Sequence, residues 1–128
     1  MQRFLLDTHV FLWWLADAPE LGPRCRELIS EQRNEIFISA ATTWEISIKQ
    51  ALGKLDAPED MESIVEDEGF SKLPITLYHG QLAGRLPALH RDPFDRMLVA
   101  QAQAEGLILM TADTNIRLYN VRFRNPEE

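Results

Sequence analysis

Short apolar runs alternate along this chain with segments of helical periodicity, and that alternation restricts the fold more than any other feature of the sequence. Arg3 to Leu6 is such a run and leads through Asp7 into a helical segment from Thr8 to Ala16. A helix is predicted from Gly22 to Gln32, then a strand at Ile36-Phe37-Ile38, with Ser39 as the N-cap of a helix reaching about Leu52. Pro58 to Glu68 reads as an acidic helix stopped by Gly69, Lys72 to Thr76 as a strand, and Tyr78 to Leu86 as a short helix. After a loop from Pro87 to Asp92, Pro93 suits the first position of a helix ending at Glu105, with Gly106 as its stop. Leu107 to Met110 is a further strand, Asp113 or Thr114 opens a short helix to Tyr119, and Val121 to Phe123 offers an edge strand. Each parallel crossover needs a helix-length connection, so the pattern predicts an α/β fold whose parallel sheet is covered on both faces.

The 128 residues with 45% hydrophobic content suffice for one core, and a single domain over residues 1–128 is expected. No apolar run approaches the roughly 18 residues of a membrane span, and no signal-like segment opens the chain, so a cytoplasmic protein that engages no membrane is expected. Cys25 is the single cysteine, which excludes an intrachain disulfide and a cysteine-based zinc site. A net charge of −7 opposes loose binding to nucleic acid through the average field. All the basic residues except Lys49, Lys54 and Lys72 are arginines, whose planar fork suits phosphate.

Ligands of open parallel sheets bind beyond the carboxyl ends of the strands, near the reversal of strand order. Asp7 and Asp113 each follow a predicted strand at that edge, and Asp95 lies in the first turn of a helix entering from the same side. Glu45 falls about two turns into its helix, where its longer side chain can reach back to the same pocket. Carboxylates gathered this closely repel unless protons or a cation neutralise them. A hard divalent ion such as Mg²⁺ or Mn²⁺ prefers oxygen ligands and suits phosphodiester hydrolysis. Each acid has a plainer reading too: Asp7 and Asp113 as N-caps, Asp92 and Asp95 as a local capping arrangement, and Glu45 as the partner of Lys49 in a helical ion pair. Those readings leave unexplained why all four fall at one edge of one sheet.

Four ordered segments carry a resemblance: Leu5-Leu6-Asp7-Thr8-His9, Ser39-Ala40-Ala41-Thr42-Thr43-Trp44-Glu45, His90-Arg91-Asp92-Pro93-Phe94-Asp95 continuing to Ala102, and Thr111-Ala112-Asp113. In these the chain resembles the VapC-type toxin ribonucleases of the PIN-domain superfamily over nearly its whole length. The resemblance implies a three-layer α/β/α sandwich with a central parallel sheet, Mg²⁺ or Mn²⁺ dependence, and endonucleolytic cleavage of RNA as the toxin of a type II toxin–antitoxin system. It places the family's acids, catalytic and metal-binding, on Asp7, Glu45, Asp95 and Asp113, and so none is lost. It further implies a cognate antitoxin, operator DNA bound only through the complex with that antitoxin, and a homodimer.

Thr111 is a candidate hydroxyl partner for an acid or for water in the site, or else a backbone-bonded strand-end residue. Arg85, Arg91, Arg96 and Arg117 flank the site as candidate RNA-phosphate contacts; Arg96 could equally pair with an acid. The helix from Thr8 is apolar on too many sides to be simply a surface helix. Phe11, Trp13 and Trp14 are therefore candidate partner contacts, unless the helix is sandwiched within the domain. Trp44 and Ile48 are expected to line the core, and His9, His79 and His90 to be surface or hydrogen-bonding residues. A receiver-type phosphoacceptor domain is the rival, but Thr8 stands where a receiver needs a second acid and no lysine follows Lys72. A haloacid-dehalogenase-like phosphatase is disfavoured because His9 stands where its second Asp would be. A non-catalytic partner-binding protein in operator regulation is the remaining alternative, and cleavage of DNA stays open because carboxylate–metal chemistry reads no 2′-hydroxyl.

Overall fold

The computed structural model describes residues 1–128 and shows one five-stranded sheet in which every neighbouring pair is parallel. In chain order the elements are β1 (Arg3–Leu6), α1 (Thr8–Ala16), α2 (Pro23–Ser30), β2 (Glu35–Ser39), α3 (Ala40–Ala51), α4 (Met61–Asp67), β3 (Ser71–Leu73), α5 (Leu77–Arg85), α6 (Pro93–Glu105), β4 (Ile108–Met110), a 3₁₀ turn (Ile116–Leu118) and β5 (Phe123–Arg124). The strand order β3-β2-β1-β4-β5 makes β1 central. From β1 the chain adds β2 and β3 on one side, then returns to lay β4 and β5 on the other, so the order reverses between β1 and β4.

Successive side chains of a strand face opposite ways. Phe4 and Leu6 therefore join Ile36, Ile38 and Met110 against α1, α2 and α4, while Leu5 joins Phe37, Leu73 and Leu109 against α6. Burial on both faces is what makes the strands read as continuous apolar runs rather than alternating ones. The α/β/α sandwich expected from the sequence is present. Local chemistry sets the helix limits: Asp7, Ser39 and Asp92 cap α1, α3 and α6 by accepting from the N–H groups of Val10, Ala41 and Phe94. Gly106 ends α6 at φ 67°, a left-handed conformation that favours glycine.

Departures are confined to element ends. The strand expected at Lys72 to Thr76 is Ser71–Leu73, because Thr76 leaves it to cap α5. The last helix is a 3₁₀ turn, and the edge strand falls at Phe123–Arg124. Two expectations about burial fail. Trp44 is 60% exposed and Ile48 37%, because α3 turns Ala41, Thr42, Glu45 and Ile46 inward and residues 44 and 48 lie round the helix from that face. Trp44 instead meets Phe94 of α6 edge-on, ring centres 5.0 Å apart.

Of the two partners expected for Arg96, an acid of the site is not one it contacts, and its guanidinium is turned to main-chain carbonyls. Its Nη2 donates to the carbonyls of Ala83 (2.8 Å) and Leu86 (3.0 Å), and its Nη1 to Pro87 O (2.9 Å) and Tyr119 Oη (3.2 Å). The guanidinium thus adds donors to carbonyls at the end of α5 and pins the loop leading to α6. Replacing it by Met is expected to cost about 1–2 kcal/mol, as partly buried carbonyls lose a charged donor. Urea denaturation checks this, and an unchanged midpoint would refute the anchoring role.

Candidate active site

Beyond the carboxyl ends of β1 and β4, where strand order reverses, a cleft of about 460 Å³ opens. Its lining includes Asp7, Glu45, Asp95 and Asp113, together with Asp92, Thr8, His9, Trp13, Lys49, His90 and Ala112. All four acids singled out in the sequence are brought together. Asp7 follows the last residue of β1, and its backbone N–H still pairs with Met110 O at 3.1 Å, which ties its position to the sheet. Its Oδ1 accepts from Val10 N at 2.9 Å, so the capping reading is correct and compatible with a place in the cleft. Only 6% of Asp7 is exposed.

Glu45 is 7% exposed and held from two sides. Thr8 Oγ1 donates to Oε1 at 2.7 Å, and Lys49 Nζ lies 2.8 Å from Oε2. The ion pair expected from the spacing therefore exists, at the wall of the cleft rather than on a free helix face. Asp113 Oδ1 accepts from the N–H groups of Asn115 (2.8 Å) and Ile116 (3.2 Å), while its own N–H donates to Thr111 Oγ1 at 3.0 Å. Thr111 is fully buried, and its hydroxyl favours the ionised form of Asp7.

His90, expected to be a surface or hydrogen-bonding residue, makes its hydrogen bonds within the site itself. Its Nε2 lies 2.9 Å from Asp95 Oδ2 and 3.2 Å from Asp113 Oδ2, and its Nδ1 accepts from Asp92 N at 3.2 Å. His90, Asp95 and Asp113 each offer a ligand atom within 4.8 Å of the others. Its place in the segment carrying Asp92 and Asp95 was the one available signal. Thr8 was likewise missed, because a hydroxyl beside a capping Asp has many local uses. Of the other histidines, His9 lies exposed at the cleft, whereas buried His79 joins the capping box of α5 and pairs with Glu105.

The electrostatics show a cleft short of positive charge. Burial, followed by the charges of Asp92, Asp113 and Asp7, pushes Asp95 up to about 7 against the pull of His90. Burial likewise raises Asp7, opposed by hydrogen bonds from Thr111 and Val10. Partial burial also opposes ionisation of Asp113, but the Ile116 N–H, His90 and the Asn115 N–H outweigh it and hold that carboxyl below its ordinary range. An oxygen-rich lining with two imidazoles, His9 and His90, and no thiolate fits a hard divalent cation, whose charge would relieve the repulsion.

The outlying candidates fare differently. Arg117 donates to Thr111 O at 3.0 Å and stacks over Phe123 at 5.0 Å, so it braces the strand end and does not face the cleft lining. Arg85 and Arg91 are exposed and lie outside the cleft lining. Phe11 is wholly enclosed and packs edge-on against Phe70, which removes it as a partner contact. Trp13 and Trp14 are partly buried against the same core, with Trp13 also at the cleft.

Comparison with known proteins agrees with this geometry. The profile described as PIN domain matches residues 4–123. Ribonuclease VapC22 of Mycobacterium tuberculosis is 29% identical over 125 residues, covering 91% of this chain and 92% of that protein. Ribonuclease VapC16 of the same organism is 41% identical over 64 residues, which spans 47% of this chain and 44% of that protein. Among solved structures, DNA-bound VapBC from Salmonella typhimurium superposes with a TM-score of 0.69 at 23% identity, covering 97% of this chain and 98% of that one, a likeness of fold.

The raised pKa of Asp95 gives a sign for pH dependence. A carboxyl at about 7 in the fold and about 3.9 unfolded stabilises the fold fully below the lower value and loses that contribution as pH rises through the upper one. Asp7 acts in the same direction, while the depressed Asp113 matters only at lower pH. In EDTA the melting temperature is expected to fall between about pH 4 and 7, and Asp95→Asn to flatten that fall. Equal slopes in both proteins would show that Asp95 is not the titrating group.

Proposed function

The chain belongs to the PIN domain family, and from that premise we propose that it is a metal-dependent endoribonuclease acting as the toxin of a type II toxin–antitoxin pair. The observation that carries this reading is the convergence of Asp7, Glu45, Asp95 and Asp113 on one open cleft at the sheet's switch point. Mg²⁺ or Mn²⁺ held by these four acids would supply Lewis acidity toward a phosphate and ease ionisation of the attacking water.

The chain's own residues supply the preorganisation. The Thr8 hydroxyl fixes Glu45 by a hydrogen bond, and backbone N–H groups fix Asp7 and Asp113. His90 holds Asp95 and Asp113 on one side of the cleft. Acids whose positions are set before a cation arrives need little reorganisation to bind it. RNA as substrate is supported by relatives named ribonucleases; an antitoxin partner, and operator DNA bound only through it, belong to the same proposal, and DNA-bound VapBC shares the fold. A homodimer and a cytoplasmic location complete the proposal. No helix is long and apolar enough to cross a membrane.

The test is cleavage of a panel of single-stranded RNAs by the purified chain with Mg²⁺, Mn²⁺ or EDTA. Cutting is expected with either ion and not in EDTA, with losses on the order of 100-fold or more in Asp7→Asn, Glu45→Gln and Asp95→Asn. A wild type inactive on every RNA with both ions, or variants that cut as well as wild type, would overturn the ribonuclease reading.

A further inference from the structure

Lys49 is the only lysine or arginine lining the acidic cleft. Its side chain is 41% exposed while that of Glu45 is 9%, so the lysine is open to solvent where the acid it pairs with is not. The other cations flanking the site are used elsewhere or lie outside it: Arg96 and Arg117 serve backbone carbonyls, and Arg85 and Arg91 are not in the lining.

The pairing with Glu45 does not by itself account for Lys49. Glu45 Oε1 is already held by Thr8 at 2.7 Å within a buried setting, so the acid is oriented without the lysine. Lysine carries three donors on a flexible four-carbon stem and can change partner at little cost, unlike the fixed fork of Arg96. A polyanion entering a cleft walled by Asp7, Asp92, Asp95 and Asp113 meets repulsion, and a mobile cation at the wall is the group that can offset it.

We propose that Lys49 is the RNA-phosphate-binding residue of this cleft, its ammonium swinging from Glu45 Oε2 to a nonbridging phosphate oxygen. The inference rests on the ribonuclease reading and adds to it the residue that receives the substrate's charge. Lys49 is thereby a positioning contact for the phosphate.

The experiment uses the full chain carrying Asp95→Asn, so that RNA survives, and measures binding of a fluorescein-labelled single-stranded RNA by anisotropy across a KCl series with Mg²⁺. Adding Lys49→Met is expected to weaken binding roughly threefold to tenfold and to reduce the slope of log K against log salt by about 0.7. Lys49→Arg should retain most of both. Lys54→Met removes the same charge from an exposed position outside the cleft and should leave both unchanged. Mn²⁺ binding without RNA, followed by electron paramagnetic resonance, should stay within about twofold in Lys49→Met.

The proposal is overturned if Lys49→Met matches its parent in affinity and slope, or if Lys54→Met loses as much as Lys49→Met. It is also overturned if Mn²⁺ binding collapses while RNA binding holds, which would make the lysine a support for Glu45. Cleavage by the chain with native Asp95 and Lys49 separates the two readings. If that chain cuts RNA, such a failure removes only the lysine assignment; if it cuts none, the ribonuclease reading falls as well.

Discussion

Asp7, Glu45, Asp95 and Asp113 face one another across a cleft with one lysine in its wall, and the rest of the fold must withstand their repulsion. Its effect is visible in Asp95, pushed to about 7 by burial and by its acidic neighbours. What holds the acids in place is covalent and apolar. Asp7 is joined to a central strand whose Phe4, Leu5 and Leu6 are buried on both faces, and Asp113 lies just beyond β4, paired to that strand in register. Moving either acid outward would disturb the sheet core, so the sheet supplies the rigidity that hydroxyls and N–H groups then refine.

The same constraint explains how arginine is used. A chain of net charge −7 would be expected to spread its cations over the surface, yet several guanidinium groups bind main-chain carbonyls. Arg96 gathers the end of α5, Arg117 braces Thr111, Arg26 donates to Leu21 O, and Arg122 to Gly106 O. These groups terminate helices and tie loops. The flexible cation at the site is left to a lysine, and no arginine pairs with the acids of the cleft.

The order of strands and helices was legible because parallel strands buried on both faces leave uninterrupted apolar runs, and because Asp7, Ser39, Asp92, Pro93 and Gly106 mark helix ends by backbone chemistry. Those signals are local, and so were the positions of the four acids at one sheet edge. What escaped depends on side-chain direction. Arg96 follows Asp95 in sequence but points toward α5 rather than the acids, since neighbouring residues on a helix diverge by about 100°. Trp44 looked like core by composition and is exposed by helical phase. His90 lies in a loop, where no periodicity announces that its ring will bridge Asp95 and Asp113.

Helical phase also connects the support of the site to its chemistry. α3 begins at a Ser39 cap on β2, so its rotation about its axis is fixed by the strand that precedes it. That phase turns Ala41, Thr42, Glu45 and Ile46 inward, places Lys49 one turn beyond Glu45 at the cleft, and leaves Trp44 outside against Phe94. Asp7, Asp95 and Asp113 stand at element ends, where a short side chain is enough to reach the cleft. Glu45 stands within a helix and needs the extra methylene, together with the Thr8 hydroxyl that receives its carboxylate from α1. The residue types at the four positions thus follow from where each backbone element meets the cleft, and the contact between α1 and α3 through Thr8 and Glu45 makes packing of those helices part of the site itself.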